Sequence, residues 1–193
     1  LAIVQLYALN AVIPPKKYVD YAALEDSRRE LAALQSVGGK KKLFRKDPQH
    51  KREKADVKRF FGIANKHVVF YSERSGFYKY YKDLIDGLLA RTNLSIHYIT
   101  NDPDDAIFAL AEKQPRIKSY YVGVKKLIPM MMRMEADIVV MTTPELDNSY
   151  IKRSLMQKEI EYIFVPHDAS SCHMSFKEHA FDHFDTIFCV GPH

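Results

Sequence analysis

The sequence predicts an α/β fold built on a doubly wound parallel sheet, and two observations carry that prediction. From His67 onward, short apolar β-prone runs alternate with segments of helical spacing about six times, the pattern that strands joined by crossover helices impose. The stretch Glu161 to His193 shows the repeating unit most clearly. Tyr162-Ile163-Phe164-Val165 stops at Pro166, a helix-like segment runs from Met174 to Phe181, and a second apolar run, Thr186 to Val190, halts at Gly191-Pro192. Strand, loop, helix and strand make a βαβ unit, and ligands of such sheets bind beyond the carboxyl ends of the strands.

Three regions are expected: a helical appendage over 1–37, a basic linker over 38–62, and the sheet domain over 63–193. Residues 1–13 are almost wholly apolar but shorter than the ~20 residues of a membrane span. They read either as a helix packed on the main domain or as the tail of a spanning or interfacial helix. The charged n-region and cleavage site of a signal peptide are missing from them. Tyr18 to Val37 has Tyr21, Leu24, Leu31 and Leu34 on one helical face and ends at Gly38-Gly39. The chain opens on Leu1 and ends just after a strand-turn signal, so it reads as a piece of a longer protein, cut at its carboxyl end.

Charge is concentrated. The net charge is +5, yet residues 40–59 hold ten Lys and Arg against Asp47, Glu53 and Asp56. A solvated linker is one reading of that run, and attachment to an anionic membrane surface is the other, since Lys and Arg near acidic lipid contribute ~1 kcal/mol each. Nucleic acid is not an expected partner, because only Phe44 and Phe60-Phe61 interleave the charges. Cys172 and Cys189, the only cysteines, form neither a disulfide framework nor a metal spacing, which suits a reducing cytoplasmic setting.

In the main domain, strands are expected at His67–Tyr71, Leu94–Thr100, Ile117–Val122, Asp137–Thr142, Tyr162–Val165 and Thr186–Val190. Helices are expected at Phe77–Arg91, Asp104–Lys113 (acidic in its first turn, which favours the helix dipole), Lys125–Met134, about Tyr150–Lys158, and Met174–Phe181. Met130, Met131, Met132 and Met134 read as core filling.

Candidate chemistry gathers after the strands. The loop Ser72-Glu73-Arg74-Ser75-Gly76 lacks the G-x-G-x-x-G of a dinucleotide site, so no nucleotide cofactor is called for. Arg74 and Ser75, with a helix N-terminus beyond them, are candidates to hold an anion, with a plain surface loop as the alternative. Thr143, in Thr142-Thr143-Pro144-Glu145, is a candidate to line the cleft. Five of the eight histidines fall from His167 onward. His179 and His183 are spaced i, i+4, but without H-E-x-x-H no metal site is expected. His167, at a strand's carboxyl end, is the candidate general acid or base, since imidazole changes charge near neutral pH.

The segment VPHDASSCHMSFKEHAFDHFDTIFCVGPH, Val165 to His193, resembles the centre of the CDP-glycerol glycerophosphotransferase family, the teichoic-acid polymerases and primases of Gram-positive bacteria. The likeness lies in the His167 strand end, His173-Met174, the run Ala180 to Asp185 and the ending Cys189 to His193, and extends loosely back to about His67. The resemblance implies one half of a GT-B-type transferase, a Rossmann-like acceptor-side domain. Such enzymes move glycerol phosphate from CDP-glycerol to a hydroxyl of a polyol-phosphate or glycan-lipid acceptor, releasing CMP at the cytoplasmic membrane face. His167 would match the essential His of an HG-type motif and act as base on the acceptor hydroxyl. Asp168 stands where the family has Gly; it lacks glycine's tolerance of positive φ, or it orients the imidazole. Ser170 and His173 join Arg74, Ser75, Thr143 and Asp168 as candidate substrate contacts. The donor contacts would lie beyond residue 193, so this piece alone is expected to be inactive. The alternatives are another GT-B nucleotide-sugar transferase or epimerase, and a non-catalytic scaffold module suggested by Asp168.

Overall fold

A computed structural model describes residues 48–64, 66–156, 159–167 and 176–189. The chain divides between Asp47 and Pro48 into two units, and all described residues belong to the second. The expected helices of 1–37, the first part of the basic run, and Asp168, Ser170 and His173 lie outside the described residues.

Ten elements follow in order: α1 (Pro48–Phe61), β1 (Lys66–Ser72), α2 (Tyr78–Arg91), β2 (Ile96–Thr100), α3 (Ile107–Lys113), β3 (Ile117–Tyr121), α4 (Val124–Met132), β4 (Ala136–Met141), β5 (Glu161–Phe164) and β6 (Thr186–Ile187). The strands form one all-parallel sheet in the order β3-β2-β1-β4-β5-β6. The chain walks outward from β1 to β3, returns to lay β4 beside β1, and walks out the other way to β6. This is the Rossmann-like, doubly wound α/β fold, and its order reverses between β1 and β4.

Apolar runs become strands here because both faces of the sheet are covered. Successive side chains alternate between the faces. Val69, Tyr71, Ile99, Tyr120, Val139, Met141, Tyr162 and Phe164 enter one core with Phe60 of α1 and Leu127, Met130 and Met131 of α4. Met130, Met131, Met132 and Met134 are all buried, as expected of filling residues. On the other face α2 packs through Tyr81, whose ring meets Phe70 at 5.2 Å and Tyr98 at 6.1 Å. Tyr81 also donates its hydroxyl to Tyr71 O at 2.6 Å, which satisfies a polar group that burial would otherwise penalise.

Three expectations need correction. The basic linker does not extend to residue 62, because from Pro48 the chain is helix α1, with proline where its missing N–H costs nothing. The inward face of α1 is largely carboxylate, Glu53 and Asp56 being buried with Phe60, so no apolar period marks it. Those carboxylates serve the exposed edge of the sheet. Asp56 accepts Tyr121 N at 2.9 Å and Glu53 accepts Gly123 N at 2.9 Å, while Arg59 donates to Ser119 O. Covering an edge strand this way removes a template for unwanted pairing.

The second correction concerns the helix near Tyr150–Lys158: residues 150–156 form none. Their N–H groups bond elsewhere, Arg153 N to Asp147 Oδ1 at 2.6 Å, Ser154 N to the Tyr162 hydroxyl at 2.9 Å, and Leu155 N to Met132 O at 2.8 Å. The third is the helix expected over Met174–Phe181. Its described part consists of turns rather than helix, interrupted by His179 at φ 64°. His179 and His183 therefore do not share a helix face. His179 Nδ1 meets Asp182 at 2.8 Å, and His183 Nε2 meets Asn148 at 3.1 Å.

Candidate functional site

The loops after β1, β4 and β5 converge at the carboxyl edge, beside the point where strand order reverses. Register places them: Tyr71 of β1 lies beside Met141 of β4, which lies beside Phe164 of β5. Val165 N adds one more ladder bond, to Met141 O at 2.9 Å. Pro166, which has no N–H to donate, ends the ladder, and His167 follows.

His167 is held by aromatic rings from α2 and the residue before it. Its imidazole stacks on Phe77 at 5.4 Å with planes 24° apart, and meets the edge of Tyr80 at 6.0 Å. Such pairs contribute about 0.5–1.5 kcal/mol beyond the area they bury. His167 Nδ1 is buried with no hydrogen-bond partner among the described residues. Thr143, 7% exposed, carries a hydroxyl in the same condition. The Tyr98 and Thr142 hydroxyls share that condition among the described residues, and buried polar atoms are rarely left unpaired.

The β1 loop is tightly folded. Ser72 donates its hydroxyl to Arg74 O at 2.8 Å, and Gly76 takes φ 88°, a conformation open to glycine at no steric cost. The Arg74 guanidinium lies 5.7 Å from the centre of the Phe77 ring. Ser75 N donates to the Asp102 carboxylate at 3.2 Å, so that backbone donor is already turned toward a side chain of the β2 loop.

A network that sequence reasoning missed adjoins this loop. Tyr150, from the β4–β5 connection, donates to Glu73 Oε1 at 2.9 Å. Tyr71 donates to Asn101 Oδ1 at 2.5 Å, and Asn101 donates to Val122 O at 2.5 Å. Burial, and next the Glu73 carboxylate, push the Tyr150 hydroxyl up to about 12. Burial, then Tyr150 and Glu73, push Tyr71 above the usual phenol range. Both phenols are therefore neutral donors at physiological pH. The only sequence signal for this network was position, since Tyr71, Asn101 and Val122 all sit at or just past strand ends.

The structure thus brings His167 to the α2 N-terminus, where its ring and the Arg74 guanidinium each neighbour Phe77, with Thr143 just past the end of the adjacent strand. The run Ala180 to Asp185 does architectural work. Asp185 accepts Tyr162 N and the Arg153 guanidinium, each at 2.9 Å, and Phe181 and Phe184 pack on Phe164 at 4.8 and 5.4 Å. Among the described residues no group of three or more His, Cys, Asp or Glu is arranged to hold a metal ion, and no helix is long and apolar enough to cross a membrane. Chemically, the edge offers one imidazole, one guanidinium, carboxylates and neutral hydroxyl donors around the switch-point crevice. Comparison with protein-family models, with curated proteins and with solved structures finds no match for this chain.

Proposed function

We propose that this chain is the acceptor-side half of a glycerophosphotransferase that uses CDP-glycerol. The observation that carries the reading is His167, an imidazole at the carboxyl end of β5, clamped by Phe77 and Tyr80 with its buried nitrogen unsatisfied. The resemblance of Val165–His193 to that transferase family supplies the substrate. In the reaction, the acceptor hydroxyl oxygen attacks the phosphorus that carries glycerol. A new P–O bond forms, the bond to the bridging oxygen breaks, CMP leaves with that electron pair, and His167 takes the hydroxyl proton. Little covalent chemistry falls to the protein in such a transfer, so positioning and charge stabilisation dominate. Arg74, Ser75 and Thr143 line the acceptor's approach, with Asp168, Ser170 and His173 expected alongside.

Membrane attachment at the cytoplasmic face fits the exposed side of α1. Lys51, Lys54 and Lys58 are exposed at spacings of one helical face, while Arg52 donates to Pro103 O and Arg59 to Ser119 O. The test is donor choice by the full-length protein with membranes present. Release of CMP from CDP-glycerol is the expected result. Turnover of a UDP-sugar instead would replace the reading with another GT-B transferase or epimerase, and no turnover of any donor would favour a scaffold module.

A further inference from the structure

A cavity of about 340 Å³ opens at the opposite, amino-terminal edge of the sheet. It is separated from the candidate site by the length of the strands, ~20 Å. Ile63 and Leu94 form its apolar wall, and Asn93, Ser95, His97 and Lys118 supply its polar side. The volume falls within the ~300–1,000 Å³ of small-molecule sites.

Among its lining side chains the one permanent charge is the Lys118 ammonium. Lys118 is exposed and has no hydrogen-bond or ion-pair partner among the described residues. No carboxylate lines the cavity. The Asp137 carboxylate meets Nδ1 of His67, which also lines the cavity, at 2.5 Å. Arg116 donates to Leu89 O and Thr92 O, which offsets the negative end of α2 beside the cavity. Lys66 sits behind, its ammonium on Ile63 O at 2.7 Å.

His97 is the inner wall. It is 3% exposed, stacks on Tyr120 with planes 9° apart, and its Nδ1 meets the Tyr120 hydroxyl at 3.0 Å. The ring lines the cavity beside Lys118, its partner in register across β2 and β3. Burial, and then Lys66, Lys118 and His67, lower its pKa to about 4. The neighbouring cations thus act on His97 as a net positive field, the field an anion would relieve. An ammonium, an imidazole, an amide and a hydroxyl thus line one small space.

We infer that this cavity is a binding site for a compact phosphate-type oxyanion, separate from the carboxyl-edge site and independent of the reaction proposed there. The test is a titration of the 193-residue chain with inorganic phosphate, at ionic strength held constant with chloride, followed by histidine and lysine side-chain NMR. The expected result is saturable shifts at His97 and Lys118, with affinity weakened about tenfold or more in Lys118→Glu, as loss of a charged hydrogen bond requires. Lys118 is exposed on an edge strand, so the variant keeps the fold, which circular dichroism checks. An organic phosphomonoester titrated in parallel distinguishes a free phosphate from a phosphorylated headgroup: tighter binding of the ester assigns the site to the latter. No saturable shift, shifts equal in Lys118→Glu, or shifts centred on other histidines would overturn the inference.

Discussion

The two ends of this sheet are built from opposite chemistry. At the carboxyl edge, acceptors and neutral hydroxyls interlock, with Tyr150 on Glu73, Tyr71 on Asn101 and Ser75 N on Asp102. At the amino edge a cavity lined by His97 and the exposed Lys118 opens, with Lys66 and Arg116 bonded to backbone carbonyls around it. The two histidines mirror the difference. His167 rests on Phe77 and Tyr80 outside the core, whereas His97 is sealed within it and held neutral by burial and nearby cations. One parallel sheet thus presents two chemically different edges, because strand polarity gives them different loops.

The largest way to break this arrangement is through the amino-edge packing. Phe60 is fully buried and meets Tyr120 at 5.2 Å and His97 at 6.3 Å, each edge-on. Phe60→Ala is expected to cost about 3–5 kcal/mol, read from the urea midpoint. A cost under about 1 kcal/mol, the scale of a surface substitution, would mean that α1 is a tether after all.

His97 gives the next effect. Its folded pKa of about 4 lies below the ordinary value, so between the two the unfolded chain binds a proton that the folded chain refuses. Stability from this group is fully present above pH ~6.5 and falls as pH drops through 4, by about 3 kcal/mol in all. Urea midpoints at neutral pH and near pH 4.5, compared between wild type and His97→Gln, isolate it from the carboxylates. The wild type should lose more stability on acidification, and parallel losses would contradict the assignment.

The smallest effect belongs to the carboxyl edge. Tyr150→Phe removes the bond to Glu73 in a side chain that is 42% exposed, so the loss is expected to be about 0.5 kcal/mol or less. A much larger loss would show that the hydroxyl network holds the fold rather than furnishing a site.

Much of the fold was legible in the sequence, for a physical reason. A strand covered on both faces is mostly apolar, so runs such as Val68–Tyr71, Ile138–Met141 and Tyr162–Phe164 announced themselves. Helix α2 was legible because Tyr81 and Ile85 recur at helical spacing. Helix α1 was not, since it docks through Glu53 and Asp56, and a period in carboxylates looks like solvated charge. The β4–β5 connection was misread as helix because its backbone bonds go to Asp147, Tyr162 and Met132, contacts that local propensity does not contain. His167 was found by a strand that stops at Pro166. Its clamp, Phe77 and Tyr80, lies far back in the chain and reads like any other core aromatic.

The most direct test of the account is CMP release from CDP-glycerol by the full-length protein, comparing wild type with His167→Ala. A base at the carboxyl edge predicts a rate lower by about 10²–10⁴-fold with circular dichroism unchanged. An unchanged rate in the variant would remove His167 from the chemistry and with it the claim that this edge is the working end of the sheet.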